Sequence, residues 1–261
     1  MKQKWIFPKL LAVMAIIFGG NWALQPALSP LPENVQRILF TMVIPYCIFL
    51  PVSCMILRTM EAVPFETVSP YGFLKLCRTA LIMMGVTMPV IGILTVLKTF
   101  LGNGSTPDFS GIRRNLGFYT VLFLVFNPIF EEILFRNLIF RLLRPFGDQK
   151  AILFSAGFFA APHLFSQGLP QMCGMFLLGM VLADTVKKSG RLLEAILLHS
   201  FFNLYGVFLP LLLTKTEAGS CFLVLLNLTV IVSGISLAMR DQKRKTGLKA
   251  QNTAGKAKNQ A

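Results

Sequence analysis

Two adjacent acids and an arginine stand in FNPIFEEILFR, residues 126–136, inside a strongly apolar stretch. Glu132 and Arg136 are four residues apart with the acid first, so on a helix they meet on one face and form an ion pair. Glu131 points about 100° away and gains no such partner from its own helix. Its same-face neighbours are Asn127 and Phe135. A carboxyl without a partner in a low-dielectric interior suits a general base or a metal ligand. The plainer reading is an acid near a helix end that reaches water beside Arg136, Arg141 and Arg144. The chain has 2 histidines, and both fall in apolar segments. His163 lies in FFAAPHLF, four residues after Phe159; His199 lies in AILLHSFFN, four residues before Asn203. For each alone, the plainer reading is a hydrogen-bonding residue that joins helices. Together with Glu131 they place a carboxylate and two imidazoles on three different helices. Such a set can activate water, with or without a metal, and the Asn203 amide suits a developing oxyanion. That is equipment for hydrolysing an amide. Intramembrane acids and histidines also relay protons, as in a proton-coupled transporter. Broken helices in matching halves would mark that alternative, and no such symmetry is visible.

Positioning these groups falls to membrane helices. Of the 261 residues, 54% are hydrophobic and only 14% are charged, against about 25% charged in soluble domains. Apolar runs near 6–24, 36–57, 73–101, 116–141, 150–164, 171–187, 191–213 and 220–239 approach the roughly 20 residues that span a bilayer. The expected fold is all-α, a polytopic bundle of about eight transmembrane helices. The run 150–164 is short for a full crossing and calls for tilt or a thin membrane. One membrane domain covers 1–239, and a basic, irregular cytoplasmic tail follows at 240–261. The first run follows basic residues, as a signal peptide does. Asn21-Trp22-Ala23 is a poor cleavage site, so a retained helix is expected.

The net charge of +14 is arranged by the membrane rather than by nucleic acid, which is excluded as a partner. Under alternating spans, 20 of the 25 lysines and arginines fall on one side. The exceptions are Arg37, Lys98, Arg113, Arg114 and Lys215. Positive charge stays cytoplasmic, so both termini are expected inside an integral protein of the plasma membrane, with loop 102–111 outside. Asn103-Gly104-Ser105 fits a glycosylation sequon but carries little weight. Asp184 and Glu194 read as interfacial acids paired with Lys187, Lys188 or Arg191. The 5 cysteines show no C-x-x-C spacing and read as small apolar residues in lipid or at helix contacts. Gly174, Gly179 and the stretch AGFFAAP, residues 156–162, allow the close helix approach that brings polar groups together.

Glu131-Glu132-x-x-x-Arg136, Phe159-x-x-x-His163 and His199-x-x-x-Asn203, in that order, resemble the motifs of the CAAX-protease and bacteriocin-processing (CPBP, or Abi) family of intramembrane endopeptidases. The resemblance covers about residues 115–210 and includes FLLGMVLADTVKKSGRLLEAILLHSFFN, which looks like the family's glycine-bearing helix, basic turn and histidine helix. Asn137 departs from the glycine that many members carry after the arginine. The resemblance implies that Glu131 activates water, that Glu132 and Arg136 hold the helix and tune that acid, and that Asn203 supports the oxyanion. His163 and His199 are then either zinc ligands with Glu131 or metal-free partners of the water and oxyanion; both readings stay open. The implied substrate is a membrane peptide or protein, such as a prenylated C-terminus or a bacteriocin leader. A non-catalytic immunity or regulatory protein on the same fold is the further alternative. No oligomeric state is legible.

Overall fold

The computed structural model describes residues 2–58, 60–66, 69–102 and 109–258, and among them each apolar run forms a helix and no strand occurs. The sequon at Asn103 lies outside the described residues. In chain order the helices are α1 (Ile6–Leu28), α2 (Glu33–Leu57), α3 (Phe73–Phe100), α4 (Leu116–Phe146), α5 (Asp148–Gln167), α6 (Leu169–Ser189), α7 (Leu192–Leu213) and α8 (Glu217–Lys258). Seven of them, all but α5, are long and apolar enough to cross a membrane. The chain is an integral membrane protein. Helix α5 is 20 residues long, which gives about 30 Å of rise, so the short run of the sequence is extended at both ends. Its lower apolarity has a cause: it carries Asp148, Gln149, Lys150, His163 and Gln167 and lies against α6.

Two glycines set the path through the middle of the bundle. A single residue, Gly147, joins α4 to α5, and a single residue, Gly168, joins α5 to α6. Their φ angles are 101° and 90°, a region closed to most side chains. These one-residue turns fold α4, α5 and α6 against one another. Gly179 on α6 then lets α5 come close, since a Cβ there would sit 3.0 Å from Ala156.

Proline shapes the helices at the places where they later make polar contacts. Helices α2 and α4 widen into π-helical turns at Leu39–Phe49 and Leu122–Phe126. In α4 the Asn127 N–H bonds the Leu122 carbonyl, five residues back. The Phe123 carbonyl therefore loses Asn127, and the next residue, Pro128, has no N–H to offer. The Leu124 carbonyl also loses its i+4 partner to that proline. Polar side chains of α7 take up both: Asn203 Nδ2 donates to Phe123 O at 2.8 Å and Ser200 Oγ to Leu124 O at 2.8 Å. In α2, Pro45 similarly leaves Phe40 O to Asn21 Nδ2, 3.1 Å away. Buried carbonyls in lipid must be paired, so these prolines tie α4 to α7 and α2 to α1.

The tail differs from the irregular segment expected after residue 240: α8 continues to Lys258 as one helix. Lysine, arginine, glutamine and alanine dominate there, and all favour helix.

Candidate active site

Glu132 and Arg136 form the expected pair, with Nε 3.0 Å from Oε2 and both side chains fully buried. The contact is an ion pair out of line for a good hydrogen bond. The guanidinium gains other neighbours: Nη2 donates to Gly179 O at 3.3 Å, and the group lies 4.4 Å from the centre of the Phe159 ring, a cation–π contact strengthened by desolvation.

Glu132 has a second partner that its own helix does not reveal. His199 Nδ1 lies 2.9 Å from Glu132 Oε1. A carboxylate paired with arginine only accepts, so Nδ1 carries the hydrogen and donates it; in the neutral imidazole Nε2 then keeps its lone pair. That Nε2 faces Glu131 Oε2 at 3.8 Å. His163 is fixed in the same tautomer, because its Nδ1 lies 3.2 Å from the Phe159 carbonyl, which can only accept. Phe159 is the shared wall of the site. Its ring stands edge-on to His199 at 5.6 Å and tilted to His163 at 5.5 Å, while covering Arg136.

Glu131 keeps 23% of its side-chain surface exposed, where Glu132 has none. The exposure opens into two cavities. One, of about 310 Å³, is mostly apolar and lies between α1, α2, α4 and α5. The other, of about 220 Å³, is bordered by α3, α4, α5, α6 and α7 and takes in His199, Asn203, Gln167 and Gln171. Phe123, Asn127, Glu131 and His163 line both. Thus the structure joins Glu131, Glu132, Arg136 and His199 in one chain of contacts. His163 shares both cavities with Glu131. Asn203 borders the polar one, with one of its two amide hydrogens held by Phe123 O.

Among the described residues, no group of three His, Cys, Asp or Glu side chains is placed to hold a metal ion. The set Glu131, His163 and His199 does not fit a zinc site as it stands. Of the interfacial acids, Asp184 pairs with Lys188. Glu194 lies 3.9 Å from Arg191 and also accepts from the Tyr71 N–H at 3.3 Å. The sequence reading passed over three contributors: Ser200, Tyr46 and the Asn127 amide. Pro128 was the available signal for Ser200, since it strips a partner from the carbonyl four residues earlier.

Residues 113–205 match the family described as type II CAAX prenyl endopeptidase, Rce1-like. This stretch is an Rce1-like domain of the CAAX-protease family. It contains all seven named residues of the three motifs, from Glu131 to Asn203. No curated protein and no solved structure matches the chain. The helices α1, α2, α3 and α8 lie outside the Rce1-like domain, yet α1 and α2 wall the apolar cavity beside Glu131.

Proposed function

We propose that this protein is an intramembrane endopeptidase that hydrolyses a peptide bond in a prenylated or otherwise membrane-held peptide, using water activated by Glu131. The observation that carries this reading is the 3.8 Å gap between Glu131 Oε2 and His199 Nε2. It is too long for a direct hydrogen bond and short enough for one water to donate to both. With its two hydrogens so engaged, the water turns an oxygen lone pair toward a carbonyl carbon. Glu131 takes the first proton as the C–O bond forms, then passes it to the leaving amine. Glu132 holds His199 in the tautomer this needs, and Arg136 pairs with Glu132 from its other side. Asn203 has a second N–H for the oxyanion, and His163 lines both cavities with Glu131, its Nε2 free to accept a hydrogen bond there. No step runs through a metal.

The two cavities suit a substrate with unlike ends. An apolar anchor enters from α1 and α2, and the polar side supplies water and receives the released peptide. The arginine and lysine distribution supports a topology with both termini in the cytoplasm, and reporter fusions at the tail and in loop 102–111 would then report opposite sides. The decisive assay is cleavage of a farnesylated peptide ending in a CAAX motif by purified protein in liposomes. Loss of cleavage in Glu131→Gln with unchanged thermal unfolding supports the mechanism. Full activity in that variant overturns it.

A further inference from the structure

We infer that Asn127 is a second oxyanion donor in this site and that Tyr46, on α2 and outside the Rce1-like domain, is the positioning residue that aims it. The inference rests on the proteolytic reading above. Tyr46 donates its hydroxyl to Asn127 Oδ1 at 2.7 Å. Once Oδ1 accepts that hydrogen, the amide cannot flip without losing the bond, and Nδ2 is turned to the opposite side. Among the described residues Nδ2 donates to nothing. Asn127 precedes Glu131 by one helical turn, so the two share a face of α4, and both line the two cavities. An amide with two free hydrogens therefore stands beside the proposed base, where a tetrahedral intermediate would form. Asn203, by contrast, has already committed one hydrogen to Phe123 O.

Tyr46 is itself held. Its ring stacks on Phe130 with centroids 4.6 Å apart and planes 16° from parallel, and Phe130 stacks in turn on Phe126 at 5.7 Å. The widened turns of α2 bring it there, immediately after Pro45. A tyrosine used only to fill the apolar cavity would need no hydroxyl. Here the hydroxyl crosses from α2 to α4 and ends on the one side chain that borders both cavities and still has donors to spare. The first two helices thus enter the chemistry as well as enclosing the substrate.

The test uses full-length protein in liposomes with the farnesylated CAAX peptide, reading kcat and KM separately beside thermal unfolding. Asn127→Ala and the near-isosteric Asn127→Leu should each lower kcat by about 100- to 1000-fold, the usual cost of one oxyanion donor, with KM little changed. Tyr46→Phe should lower kcat by about three- to tenfold, the worth of one neutral hydrogen bond, and leave the melting temperature near that of the parent. The double variant Tyr46→Phe/Asn127→Ala should be no slower than Asn127→Ala alone, because Tyr46 acts through Asn127. Multiplying effects in the double variant, or an unchanged kcat in either Asn127 variant, would overturn the inference. If the Asn127 variants do not fold, Tyr46→Phe decides: a melting shift with unchanged kcat gives a structural bond only and refutes it. Glu131→Gln run in parallel separates the two failures. If it is active, the proteolytic mechanism falls; if it is inactive while Asn127→Leu keeps its kcat, only this inference falls.

Discussion

Acids meet bases in two very different places in this bundle. Near the ends of α3, α5 and α6, and within α8, Arg78 pairs with Asp241 and Lys188 with Asp184 around a cavity of about 750 Å³. These side chains keep between 34% and 47% of their surface. In the middle of α4, Glu132 pairs with Arg136 at no exposure at all. The charges are of the same types, but their obligations differ. A half-exposed partner that loses its mate is rehydrated. A buried one is stranded, and in the second place the stranded group also orients His199. Charge pairing at the rim is therefore replaceable, whereas in α4 it must be complete, because each member holds the next.

The largest effect that would break this contrast is expected at Arg136. Arg136→Ala leaves Glu132 buried without its cation, at a cost of about 3–5 kcal/mol. Yield and thermal unfolding in detergent should both fall, and cleavage with them. A variant that accumulates and melts like the parent would show that the pair is not buried. Next in size is Glu131→Gln, which removes the base and keeps the shape. Cleavage should fall by about 100- to 10,000-fold, the range for a general base, with the melting temperature preserved. This separates the chemical acid from the structural one next to it. Asn203→Ala should combine both kinds of loss. It leaves the Phe123 carbonyl unpaired, at about 1–3 kcal/mol, and lowers kcat; Ser200→Ala should show the stability loss without the full kinetic one. The smallest effect is expected at the rim. Arg78→Ala should cost about 1 kcal/mol or less, and its effect should shrink further in high salt. If it matched Arg136→Ala, the comparison would collapse.

Much of the bundle was legible in the chain because lipid imposes a crude rule: apolar runs of sufficient length become helices. The run 73–101 became Phe73–Phe100, and 191–213 became Leu192–Leu213. The rule failed where sequence and lipid decouple. Helix α5 is more polar than a lone span because Asp148, Gln149, Lys150 and Gln167 sit at its two ends, and α8 runs past residue 240 because lysine, arginine, glutamine and alanine outnumber the two glycines there.

For the site, the i,i+4 pair of Glu132 and Arg136 follows from the sequence because one turn of helix brings those residues together. The amphipathic geometry of an α-helix is local, and so is Pro128's missing N–H. Glu131, His163, His199 and Asn203 could likewise be singled out by type alone, as polar groups in runs that lipid makes expensive. What joins them is not local. Glu132 and His199 are 67 residues apart in the chain, and Tyr46 and Asn127 are 81 apart. No periodicity relates such positions; the first contact needs α7 packed on α4, and the second needs α2 packed on α4. Sequence alone determined which residues had to find partners in the membrane. Only the packed helices decided which partners they found, because a buried charge or amide takes its role from whatever the fold sets within about 3 Å of it.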